Sequence, residues 1–338
     1  MSRVTTASAW KVLLSGLTNS DSFVRCESSR LLGLLGDRRA VKPLTKLLTS
    51  ERHTTKVTAV YALGQIGDRR AAPILRQIAT DPGVFRFPGM HNHDMIRLAA
   101  ALELAKWKDS SGLVAVNDLM RLRGMEAMLQ LGPAILAAPR NAATKPLKAY
   151  VSLKFLLPYH HGRLTASNHF FLAQCLAYFS EPAARKQLVE YLTHFSRYVR
   201  PEAAASLLMQ DASDKNLRLV ARHAKKERTP FGRIRFSAIL QQHGIGDATA
   251  AIASGLRNKD AFVRATAIDA AAKLKLTSLA PTVTKLLADT DFYVRICAAE
   301  ALESLAPRSA AKALAPLLAD SHPRVAVQAA KSFLVCSR

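Results

Sequence analysis

The chain has 338 residues, 49% of them hydrophobic, with 48 Lys and Arg against 25 Asp and Glu for a formal net charge of +23. That apolar content supports a sizeable core and excludes a disordered chain, while the charge points to polyanionic partners. The cysteines, Cys26, Cys175, Cys297 and Cys336, have no CxxC spacing, which excludes a disulfide framework and a zinc site and suits a reducing compartment.

At the N-terminus, Lys11 and Ser15 interrupt the apolar run, so no signal peptide is expected, and no stretch approaches the length of a membrane span. The first clear element is DSFVRCESSRLLGLL, Asp21–Leu35, whose apolar residues recur at helical spacing. GDRRA follows at Gly36–Ala40 and occurs again at Gly67–Ala71, 31 residues on. Short helices of the form PxxxKLL are expected after these connectors, at Val41–Leu48, Pro73–Ile78 and Pro281–Leu287, with Pro73 and Pro281 in the first helical turn, where no donor is lost.

Residues 81–93, DPGVFRFPGMHNH, read as a loop inserted within a helix pair. Its His91, His93 and Asp94 are possible metal ligands by type, but a polar loop ending in an Asp94 helix cap explains them better. His160 and His161 read in the same way, as a polar turn after Pro158. No metal or cofactor is expected. Residues 132–147 hold three prolines and mark either a curvature change or a weak domain boundary in an otherwise continuous array over 1–338.

The C-terminal segments align at the same interval of 31: DAFVRATAIDAAAKL from Asp260, DFYVRICAAEALESL from Asp291 and HPRVAVQAAKSFLVC from His322. Val263, Val294 and Val325 fall in register, as do Ala267, Ala298 and Ala329. A helix–turn–helix unit of this length cannot bury its apolar stripe alone, whereas stacked copies cover one another. Pro316 falls inside a helical pattern and has no explanation in the sequence.

The D-x-x-V-R turns at Asp21–Arg25, Asp260–Arg264 and Asp291–Arg295, with their small-residue helices and GDRRA connectors, resemble HEAT repeats, in particular the short repeats of the phycobilisome-lyase type. The resemblance implies an all-α fold: a right-handed α-solenoid, or superhelix, of about ten helix pairs, with the second helix of each pair on the concave side. Enzymes of related fold set further expectations. Deoxyhypusine hydroxylases hold iron through His-Glu dipeptides, and this chain has none. Alkylpurine DNA glycosylases use aromatics and an acid in a basic cleft; Trp107 and Asp109 are the candidates here, though a core or capping Trp107 is the simpler reading. Nothing marks a bilin site. Phosphate-loop, HExxH and GxSxG motifs are also missing, so no catalysis is expected.

The positive charge is patterned. Ala127–Ser180 contains no Asp or Glu, and Lys215–Arg235 carries eight cations against Glu227 alone. Arg218, Arg222, Lys225 and Lys226 share one helix face. Arginine makes up 29 of the 48 cations, which suits bidentate phosphate contacts. Arg264 and Arg295 are expected to bond turn carbonyls, whereas Arg200 and Arg235 lack the preceding Asp and are expected to be available. The expected nucleic-acid contacts are Lys56, Arg97, Lys154, Arg163, Arg200, Arg222, Lys225, Lys226, Arg233 and Arg235, with Arg38, Arg39, Arg69 and Arg70 of the GDRR loops as a second set. Aromatics, at 7%, show no regular interleaving with the cations, which favours duplex DNA over single strands or RNA. The rival expectations are a scaffold for an acidic protein and a DNA glycosylase. The expected location is cytoplasmic, on the nucleoid in a bacterium.

Overall fold

A computed structural model describes residues 5–48, 53–80, 92–113, 132–151, 156 and 165–337. Among these residues every regular element is a helix. They form two compact units. Unit 1 comprises residues 1–127, 138–149 and 287–338; unit 2 comprises residues 128–137 and 150–286.

In unit 1 the helices are α1 (Thr6–Gly16), α2 (Ser22–Leu35), α3 (Val41–Leu47), α4 (His53–Ile66), α5 (Ala72–Thr80), α6 (Asn92–Lys106) and most of α7 (Thr144–Tyr150). Unit 2 contains α8 (Ala166–Leu176), α9 (Pro182–Tyr191), α10 (Val199–Gln210), α11 (Asp214–Lys226), α12 (Pro230–Gln242), α13 (Thr249–Gly255), α14 (Ala261–Lys273) and α15 (Ala280–Lys285). The chain then completes unit 1 with α16 (Phe292–Leu305), α17 (Pro307–Leu314) and α18 (Pro323–Cys336).

The helices pair and stack as an all-α solenoid does. In unit 2, α10 packs on α8, α12 on α10 and α14 on α12, so the second helices form a spine. Each first helix leans on its own partner: α9 on α10, α11 on α12, α13 on α14. The spine is possible because the facing positions are small or branched. Ala267 is fully buried, and a side chain at Gly255 would strike Ile234 and Ala267.

Unit 1 follows the same rule with one addition. α2, α4 and α6 stack in turn, and α16 packs on α18. α18 also packs on α2 and on α1, so the last second helix meets the first one. The buried stripe of α1, Ala9, Leu13 and Gly16, is closed in part by this contact, with Val327 against Gly16.

The repeated GDRRA has a structural meaning. Gly36 and Gly67 end their helices at φ 66° and 71°, left-handed values that glycine adopts without steric cost. Asp37 and Asp68 then cap short 3₁₀ turns by accepting from the backbone N–H of Arg39 and Arg70. Lys275 takes the equivalent position after α14 with φ 52°. Pro316 also finds its reason. α17 stops at Leu314, and a 3₁₀ turn over Ala315–Ala319 begins there, so the proline sits in a first turn.

Candidate polyanion-binding surface

The arginines in the first turns of α2, α14 and α16 share one job. Nη1 of Arg25 donates to the carbonyls of Asn19 and Ser20, that of Arg264 to Asn258 and Lys259, and that of Arg295 to Asp289 and Thr290. Asp21, Asp260 and Asp291 meanwhile cap the helix by accepting backbone N–H groups. A turn that would leave carbonyls unpaired is thereby closed by a side chain carrying several donors.

Arg200 performs the same task without a preceding Asp. Its Nη1 donates to the carbonyls of His194 (3.0 Å) and Phe195 (3.1 Å). Its Nε and Nη2 donate to Glu227 at 2.9 and 3.0 Å. The expectation that Arg200 is an available charge is therefore corrected: guanidinium donors are engaged at both the turn and the carboxylate. Burial alone would raise the Glu227 pKa, but the hydrogen bonds from Arg200 and Thr229 hold it down at about 2. Arg235 is half-buried and contacts Asp269 at 3.4 Å, so its charge is also partly matched. Lys56 and Arg97 are buried, the latter donating to the Ala79 carbonyl, which removes both from the surface. Lys154 and Arg163 lie outside the described residues, as do residues 81–91 of the expected 81–93 loop and His160–His161, whereas Asn92, His93 and Asp94 already belong to α6.

The GDRR arginines divide by position. The second of each pair closes on its own loop: Arg39 on Asp37 and Arg70 on Asp68, each through two guanidinium nitrogens. Arg39 also lies over the Trp10 ring at 4.2 Å. Hydrogen bonds from Arg70 take the Asp68 pKa down to about 2. Arg69 donates to the Trp107 carbonyl, and Arg38 is 81% exposed, at 3.9 Å from Asp68. Asp109 is held by Arg76 and bonds Ser111, an arrangement that closes a turn.

What remains is one coherent face on unit 2. Arg222, Lys225, Lys226, Arg228 and Arg233 are all exposed. None has an ion-pair partner among the described residues; Arg233 donates only to the Arg228 carbonyl. Arg218, on the same side of α11, faces Asp214 at 3.9 Å with both groups over 80% exposed, a pair too solvated to neutralise much charge. Lys225, Lys226, Arg228 and Arg233 line a groove of about 580 Å³ where α11 turns into α12. The one acid of this segment, Glu227, also borders this groove, but it is nearly buried and its carboxylate is taken up by Arg200 and Thr229. His223 registers the field: partial burial, then the charges of Lys226 and Arg222, push its pKa below the usual value.

The repeats can now be placed among known proteins. The family model for HEAT repeats matches residues 11–86 and 249–334. Those two stretches are HEAT repeats. No curated protein matches it. Among solved structures, an engineered protein is similar at 19% identity, over 98% of this chain and 99% of that one, with a TM-score of 0.30. Human deoxyhypusine hydroxylase in complex with glycerol is similar at 17% identity, over 98% and 97%, at 0.31. The CpcE–CpcF complex of phycocyanin lyase from Nostoc sp. PCC7120 is similar at 16%, over 90% and 88%, at 0.29. Nothing of what those proteins do carries over to these HEAT repeats. Among the described residues no group of His, Cys, Asp and Glu could hold a metal ion, and no helix is long and apolar enough to cross a membrane.

Proposed function

We propose that this chain is a non-catalytic nucleic-acid-binding solenoid that grips duplex DNA by its phosphates, without reading sequence. The observation that supports this reading is the face of exposed cations without acidic partners made by Arg222, Lys225, Lys226, Arg228 and Arg233. A solvated face normally mixes signs, because like charges on neighbouring turns repel. Here the only carboxylate between Lys215 and Arg235 is taken up by Arg200. Exposed cations at successive helical turns suit an anion whose charges repeat along its length, and counterion release then drives binding.

The test is a titration of labelled duplex DNA, single-stranded DNA, RNA and a polyglutamate peptide at two salt concentrations. Duplex binding that weakens steeply with salt is the expected result. Binding of the acidic peptide in preference to every nucleic acid would replace this reading with that of a protein-interaction scaffold.

A further inference from the structure

Three consecutive repeats of unit 2 bring aromatic rings together at the starts of their second helices. Tyr198 precedes α10, Phe231 lies in the first turn of α12 and Phe262 in that of α14. Tyr198 meets Phe231 edge-on at 5.2 Å and Phe262 edge-on at 5.6 Å, while Phe231 and Phe262 stack at 5.4 Å. Packing between repeats accounts for Phe231, which is buried. It does not account for Tyr198 and Phe262, which stay 39% and 38% exposed. The Arg197 guanidinium lies over both, 5.0 Å from the Tyr198 ring centre and 5.8 Å from that of Phe262, and donates to the Tyr198 hydroxyl at 2.8 Å.

Beside this cluster is a groove of about 760 Å³ whose lining includes Arg197, Pro230, Arg257 and Lys259. Arg257 and Lys259 are exposed, with no carboxylate partner among the described residues. The acid in the lining, Asp260, accepts the Phe262 N–H as a helix cap. The first turn of α12 separates this groove from the basic one: Pro230 lines this groove, and Arg233 lines the other with Lys225 and Lys226. Flat rings bordered by unmatched cations are suited to a planar group carrying negative charge close by. A nucleotide has that form, since every base offers a π face and each is joined to a phosphate.

We infer that unpaired nucleotides at a duplex end lie along this groove and the ring cluster at its Arg197 edge, a base stacking against Tyr198, Phe262 and Arg197 while the adjoining phosphates lie on the α11–α12 basic face. The inference rests on the nucleic-acid reading above and narrows its target to a junction between paired and unpaired strand. Arg257 and Lys259 hold the phosphates of the unpaired stretch.

Fluorescence anisotropy on the full chain tests it with three probes: a blunt duplex, the same duplex with a short thymine overhang, and a blunt duplex lengthened to the same number of phosphates. The overhang probe is expected to bind about tenfold tighter than the lengthened blunt one, an increment of the size that base–aromatic stacking gives. Phe262→Ser and Arg197→Ala should each erase that increment and leave blunt-duplex affinity unchanged. Arg197 is half-buried and lies outside the core, so its variant keeps the test open if Phe262→Ser does not fold. Equal affinity for the overhang and lengthened probes overturns the inference while leaving the parent reading in place, as does an increment that survives in a folded Arg197→Ala variant. Failure of all three probes to bind at low salt overturns the parent reading, and the inference with it.

Discussion

Arg200 reaches from the start of α10 to Glu227, in the turn before α12, with Nε and Nη2 each within 3.0 Å of a different carboxylate oxygen. The pair joins two successive repeats and takes up the charge of an acid that borders the basic groove. Replacing Arg200 by Ala leaves a buried carboxylate bonded by Thr229 alone and two turn carbonyls unmatched, at an expected cost of about 3 kcal/mol. The pH dependence follows from the Glu227 pKa, which is about 2 against an ordinary 4.5. A depressed carboxylate pKa stabilises the native state above the unfolded value, and that contribution is lost as pH falls from 4.5 toward 2. Arg200→Ala removes the largest of the interactions that lower this pKa, so the variant's deficit should shrink as pH falls from 4.5 toward 2. Urea unfolding at a series of pH values checks both signs.

Reversing Arg222, Lys225 and Lys226 together to Glu should weaken duplex binding and flatten the plot of log affinity against log salt by about 3, roughly 0.9 for each phosphate no longer neutralised. The thermal midpoint should hardly move, because none of the three pairs with an acid among the described residues. Unchanged affinity would remove this face from the proposed interface.

Arg264 gives the opposite pattern. Its Nη1 closes the turn before α14 through the carbonyls of Asn258 and Lys259. Arg264→Ala should lower stability by about 1.5–3 kcal/mol, the range for hydrogen bonds from a charged donor. Duplex affinity of the folded fraction should stay at the wild-type value. Calorimetry and anisotropy on one preparation separate the two effects.

Lys275 holds a left-handed backbone conformation where Gly36 and Gly67 stand in the equivalent turns. Lys275→Gly should stabilise the chain by about 1 kcal/mol, since the steric cost of a Cβ at that φ disappears. Lys275→Val should do the reverse. Denaturant midpoints of the two variants decide the matter.

A side chain at Gly16 would collide with Ser28 of α2 and Val327 of α18. Gly16→Leu should therefore cost at least about 1–3 kcal/mol. Hydrogen exchange should quicken in Pro323–Cys336, at the far end of the sequence, as well as in α1. Faster exchange in α1 alone would mean that the two ends do not depend on each other.

The helix pairs are legible in the sequence because the unit repeats: Val263, Val294 and Val325 align by eye, and all three are buried. The Asp caps and turn-bonding arginines are legible for the same reason, as short-range motifs. Arg200 is misread from sequence because its acid stands 27 residues ahead, in a turn of the next repeat, where no local pattern connects them. Lys56 and Arg97 are misread because the motif position that exposes one cation buries another. The aromatic cluster stays hidden because Tyr198, Phe231 and Phe262 are 33 and 31 residues apart, and a low aromatic content looks diffuse. Stacking places them side by side. No periodicity could show that α18 meets α1, because a repeat specifies its neighbours and not where the array stops.

That meeting of the two ends has a consequence for synthesis. A ribosome delivers Ala9 and Leu13 roughly 310 residues before Pro323, so the apolar side of α1 waits through that stretch of translation for part of its cover. Ordinary repeat arrays can be extended repeat by repeat as they emerge; here α1 stays partly uncovered, and sticky, until α18 has followed it out.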